Sequence, residues 1–222
     1  MKRNIIIIFI AIILVAAGLF YYSQNKPEEN ENEDFPYAID FSKVKDIREE
    51  QLERLKQDYE IAKETYKEKP ENFNALMTLA FIHYQIRDYE TARDIYLKVG
   101  EISPKNYTSF WNLGNTYVWL KDYEGAERAY LKTIENSPDQ VRHYTALGEL
   151  YLYHFPEKKD QIPQIYKKGL EVLPGDYNLL VNLAEYYREI GDKETALFYY
   201  QEVIKHYPEE EERIRAEIED LI

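Results

Sequence analysis

The chain has 222 residues, 45% hydrophobic and 31% charged, a balance that fits a folded protein and excludes a disordered one. Its formal charge is −13, and residues 1–26 hold Lys2, Arg3 and Lys26 without an acid, so the remainder sets 25 basic against 41 acidic side chains, or −16. That surface repels a phosphate backbone, so no nucleic-acid partner is expected, and the lack of cysteine removes disulfides, thiolate metal sites and a cysteine nucleophile.

Residues 1–4, Met1-Lys2-Arg3-Asn4, read as a short cytoplasmic amino terminus. Ile5 to Tyr22 is an unbroken apolar run that would span about 27 Å as a helix, close to the thickness of a bilayer's hydrocarbon. Residues 5–22 are therefore expected to be a transmembrane anchor. The positive end is kept inside, which places the rest of a single-pass inner- or plasma-membrane protein on the non-cytoplasmic side. A cleaved signal peptide, processed near Val15-Ala16-Ala17 to leave a secreted or periplasmic protein, is the alternative. The run's continuation through Leu19-Phe20-Tyr21-Tyr22 favours a retained anchor. Insertion in the opposite sense would leave the folded part in the cytoplasm. Residues 23–38 form an acidic linker, with Glu28, Glu29, Glu31, Glu33 and Asp34 too polar to bury a core.

Residues 39–72 contain one amphipathic helix. Between Val44 and Lys69, residues Leu52, Leu55, Tyr59, Ala62 and Tyr66 recur at spacings of three and four, which describes half of a two-helix unit. Prolines 70, 104, 138, 174 and 208 then follow at intervals of 34, 34, 36 and 34 residues. Counting from Tyr107, Phe110, Leu113, Gly114, Tyr117, Ala126, Tyr130 and Pro138 fall at positions 4, 7, 8, 11, 20, 24 and 32. The unit from Phe73 gives Leu76, Leu79, Ala80, His83, Ala92, Tyr96 and Pro104, and that from Tyr177 gives Leu180, Leu183, Ala184, Tyr187, Ala196, Tyr200 and Pro208. The unit from Val141 starts with Tyr144, Leu147, Gly148 and Tyr151, gains two residues within His154 to Gln161, and carries Ile162 in place of the alanine before Tyr166 and Pro174. Small residues at 8 and 20 let two helices approach, and aromatic residues at 11 and 24 fill the joint. Asp88, Asp122 and Asp192 stand where they can cap each second helix.

This pattern resembles the tetratricopeptide repeat, W-x2-L-G-x2-Y followed by A-x3-F and P. Four units result: 73–106, 107–140, 141–176 with its two-residue insertion, and 177–208. Residues 209–222 form a capping helix on which Ile214, Ile218 and Ile222 make one apolar stripe. The resemblance implies an all-α, right-handed superhelical solenoid.

In that family the first helices line a concave groove for partner peptides. The positions carried over are Met77, Phe81, Tyr84, Trp111, Asn115, Trp119, Glu149, Tyr153, Glu185 and Arg188, grading from aromatic to acidic. Trp111 and Trp119, eight residues apart, are expected on roughly the same side. The implied partner is a protein or peptide with apolar anchors and a basic flank. The opposing reading is that the tryptophans only wedge between repeats. A clamp for carboxylate tails, known in part of the family, keeps only Asn112 and Arg142 beside Met77, Phe81 and Ala146 here, so that use is not expected. Anchored proteins of this layout serve as assembly factors or chaperone-like accessory subunits in bacteria. A self-associating structural protein is the alternative, and an enzyme the more distant one.

His83, His143, His154 and His206 form no metal pair at helical spacing, and no glycine-rich phosphate loop occurs. No cofactor, metal or catalytic residue is expected. Asn106-Tyr107-Thr108 matches a glycosylation acceptor, a pattern too short to use alone, and His154 to Gln161 is either a docking knob or a plain insertion.

Overall fold

The computed structural model describes residues 35–219 and divides the chain into two units, residues 1–43 and 44–222. The expected anchor, residues 5–22, lies outside the described residues, as do the amino terminus and the linker up to residue 34. Among the described residues no helix is long and apolar enough to cross a membrane. Of the first unit, residues 35–43 comprise a turn and a short 3-10 helix, Phe41–Lys43, with Phe35 and Tyr37 meeting edge to face at 5.9 Å.

The second unit is a helical-repeat solenoid, without a strand among the described residues. Its helices are α1 (Glu49–Glu68), α2 (Phe73–Gln85), α3 (Tyr89–Ile102), α4 (Tyr107–Leu120), α5 (Tyr123–Asn136), α6 (Val141–His154), α7 (Ile162–Val172), α8 (Tyr177–Glu189), α9 (Lys193–His206) and α10 (Glu211–Glu219). The three aspartates at the second helices accept backbone N–H groups from Thr91, Gly125 and Thr195. First helices are capped as well: Asn72, Asn106 and Asp176 accept from Ala75, Ser109 and Leu179. The asparagine of the glycosylation pattern thus serves as a helix cap.

Between the helices of the first, second and fourth repeats, one residue adopts the left-handed region: Arg87 (φ 68°), Lys121 (φ 60°) and Gly191 (φ 79°). The following N–H then reaches back to a carbonyl of the last turn, Asp88 to His83, Asp122 to Tyr117 and Asp192 to Tyr187. This closes the helix end as a Schellman motif and fixes the sharp reversal.

Packing follows the small-residue positions. Ala80, Ala92, Ala126, Ala184 and Ala196 are fully buried, with Tyr96, Tyr130, Tyr166 and Tyr200 inserted beside them. Gly114 and Gly148 are required by contact: a Cβ there would lie 2.5 Å from the ring of Tyr130 and 2.2 Å from the hydroxyl of Tyr166. Ile214 is fully buried and Ile218 packs on the core, so α10 closes the last repeat; Ile222 lies outside the described residues.

The third repeat departs from this plan. Neither α6 nor α7 has a side-chain cap, and the turn is a 3-10 helix, Pro156–Gln161. Glu127 on α5 holds this insertion. It accepts from Lys158 at 2.7 and 2.6 Å and from the Tyr151 hydroxyl at 2.5 Å, while Lys158 lies 4.3 Å over the Phe155 ring. Burial raises the Glu127 carboxyl, but these two hydrogen bonds outweigh it and hold the group below its ordinary value.

Candidate partner-binding groove

The face made by the first helices is a row of hollows, each shaped by what stands at equivalent repeat positions. One of them, about 500 Å3, lies between α1, α2 and α4 and is lined by Ile61, Ala62, Thr65, Met77, Phe81 and Asn112 among others. Its origin is architectural. In register with the repeats, α1 is a second helix, and no α-helix precedes it among the described residues. Ile61 is 68% exposed and Phe81 47%. The sequence reads α1 as half of a two-helix unit and does not single out Asp58, Ile61 and Thr65 as lining residues.

The two tryptophans part company. Eight residues along a helix turn through about 800°, about 80° beyond two full turns, and that offset is enough to separate their surroundings. Trp111 is half-buried between repeats, its ring 5.6 Å from Tyr130 and 5.4 Å from His143, with the Arg142 guanidinium 5.4 Å over it. It acts as a wedge and also borders the second hollow, about 350 Å3, with Asn115, Glu149 and Tyr153. Asn115 is fixed there by the Tyr130 hydroxyl, which donates to it at 2.8 Å.

Trp119 is 60% exposed. Its indole N–H donates to the Tyr84 hydroxyl at 2.9 Å, and its ring stacks on Tyr89 at 5.4 Å and 6°. Tyr84 meets Tyr89 edge to face at 5.5 Å, so the three rings form a fixed aromatic wall beside a hollow of about 460 Å3 that Gln85 and Arg87 complete. The role of Tyr89, the first residue of α3, came only from the fold.

Toward the carboxyl end the lining turns acidic. A hollow of about 240 Å3 between α6, α7 and α8 is bordered by Glu149, Glu185 and Glu189 with Tyr153, Tyr166 and Tyr186. Burial, reinforced by Glu217 and Glu189 and opposed by Arg188, raises the Glu185 carboxyl above the ordinary glutamate value. Arg188 pairs with Glu217 of α10, so its charge is directed to the end cap. Nine of the ten predicted groove residues thus line successive hollows, while Arg188 is held by Glu217 instead.

Three of the four histidines serve packing. His83 is buried with Nδ1 2.8 Å from the Asp88 carboxylate. His143 is buried and donates from Nδ1 to the Ser137 carbonyl at 2.8 Å, and its burial lowers the ring's basicity. His154 stacks on Tyr123 at 3.8 Å. No group of three or more His, Asp or Glu among the described residues is arranged to hold a metal.

Two family models described as tetratricopeptide repeat match residues 107–140 and 179–210, so the chain carries such repeats. No curated protein sequence matches the chain. Among solved structures it is similar to MamA, with a TM-score of 0.58 and 17% identity over 76% of this chain and 99% of that one. It is also similar to YrrB, described as a tetratricopeptide-repeat protein with an unusual peptide-binding site, with a TM-score of 0.56 and 16% identity over 87% and 96% of the two chains. PilF of Pseudomonas aeruginosa gives a TM-score of 0.55 and 19% identity over 70% of each chain. At these identities the likeness carries the fold.

Proposed function

We propose that this tetratricopeptide-repeat solenoid is a membrane-tethered adaptor that holds a partner segment along the face of its first helices. The carrying observation is the row of hollows edged by Phe81, Trp119 and Tyr153, large side chains left 47%, 60% and 71% exposed although the core beside them is tightly filled. Exposed aromatic rings held rigid by their neighbours supply binding energy at little entropic cost. The grading from apolar to acidic selects a segment with bulky apolar anchors followed by a basic flank, which the −16 charge beyond residue 26 draws in from a distance.

Residues 5–22 are the tether in this reading, with the solenoid on the non-cytoplasmic side, and the tether raises the effective concentration of partners at the same membrane. An assembly-factor or chaperone-like role follows from that placement, and the scaffold performs no catalysis. Self-association through the same face is the competing use.

The test is photocrosslinking from residue 119 or 81 of the full chain in membranes, with residue 97 on α3 as the control. A defined protein adduct from the two groove positions, with the residue-119 adduct reduced about tenfold by Phe81→Ala while melting is unchanged, is the expected result. Adducts only between copies of this chain favour self-association. Equal adducts from all three positions overturn the groove. Protease protection in intact cells tests the membrane side.

A further inference from the structure

The acidic hollow between α6, α7 and α8 differs from its neighbours in its base. Tyr166 is 5% exposed, and its ring ends in this hollow. In the preceding repeat the equivalent tyrosine, Tyr130, donates to Asn115. In the third repeat the residue in register with Asn115 is Glu149, and the Tyr166 hydroxyl forms no hydrogen bond with any described residue. The ring is buried while the hydroxyl opens onto the hollow, so a bound group there can hydrogen-bond with it. Above it stand Glu149 on one helix and Glu185 on another, with the rings of Tyr153 and Tyr186 alongside. Arg188, the cation at hand on α8, is paired with Glu217.

We propose that this hollow is a socket for a guanidinium group, and that an arginine side chain of the partner occupies it. The proposal rests on the groove reading and names the residue type read at its acidic end. The carboxylates come from separate helices, and no group of three or more His, Asp or Glu among the described residues is arranged to hold a metal. A planar, delocalised cation with five N–H donors can give to both carboxylates and to the Tyr166 oxygen together, and its faces can rest on tyrosine rings. A lysine ammonium is a compact, strongly hydrated charge that gains less from such a spread site. About 240 Å3 is room enough for the guanidinium and the last methylenes of its stem.

The experiment uses the full chain in detergent and N-acetyl-arginine amide as the probe, with N-acetyl-lysine amide as its counterpart, read by saturation-transfer NMR. The expected result is saturation of the arginine probe's terminal methylene at least about fivefold above the lysine probe's. Tyr166→Phe or Glu185→Gln, each confirmed folded by circular dichroism, should reduce it about fivefold, whereas Leu97→Ala on α3 leaves it unchanged. Equal signals from the two probes, no signal, or signals untouched by Tyr166→Phe and Glu185→Gln overturn the socket. Groove crosslinking that persists alongside such a failure leaves the adaptor reading standing and removes the socket alone.

Discussion

In the second repeat both helices start on a side-chain cap, and the turn between them closes on Lys121 in the left-handed region. In the third repeat neither helix has such a cap, and a 3-10 helix replaces the turn. What supports the third repeat comes from elsewhere in the chain. His143 and Tyr144 give hydrogen bonds to the carbonyls of Ser137 and Pro138, and Tyr151 and Lys158 reach back to Glu127 in the previous repeat. Local signals and cross-repeat contacts are therefore interchangeable supports for one two-helix shape, as expected where neighbouring units share an interface. The inserted segment is an integral part of the joint, since its lysine is the ion-pair partner of a carboxylate that is only 16% exposed.

The feature both repeats share should give the largest effect. Gly148→Ala forces a Cβ against Tyr166, which is too buried to swing aside, so a loss of about 2 kcal/mol and a fall in melting temperature of roughly 4–8 °C are expected. Gly114→Ala should behave alike, and a neutral outcome at either site would mean that the close approach is dispensable there.

The next effect separates the repeats. Glu127→Ala strands Lys158 and the Tyr151 hydroxyl, and because the pair keeps some solvent access the expected loss is about 1–2 kcal/mol, with faster amide exchange in residues 155–162. Removing the exposed Lys132–Glu135 pair should cost less than about 0.5 kcal/mol. Because the folded Glu127 carboxyl lies below its ordinary value, its contribution is complete above the ordinary glutamate pKa of about 4.3 and disappears as pH falls through the folded value. Glu127→Gln should flatten that acid limb in melting curves taken between pH 5 and 2.

The smallest effect tests the caps directly. Asp122→Ala should cost about 1 kcal/mol by urea unfolding, whereas Gln161→Ala, at the matching place in the third repeat, should change stability by less than about 0.5 kcal/mol. Equal losses would erase the distinction between the two kinds of support.

Much of this was legible beforehand. Leu79, Ala80, Ala92 and Tyr96 recur with their counterparts at one period, and a repeat written four times names its own core. The aspartate caps were readable because capping depends on the cap and the next three residues. The asparagine caps follow the same chemistry and were passed over. The candidate groove was legible as positions but not as surfaces. Nothing local to Trp111 and Trp119 says that one ring lies between Tyr130 and His143 while the other stacks on Tyr89.

The sequence by itself determined the repeat length, the buried small residues and the helix starts, because each depends on neighbours within a turn or on a period that the chain states several times. Tertiary structure decided which aromatic rings stay open, and that Glu127 receives Lys158 while the Tyr166 hydroxyl forms no hydrogen bond with any described residue. Those outcomes depend on side chains about 24 to 35 residues apart meeting across helices, and their distances are set only when the stack closes.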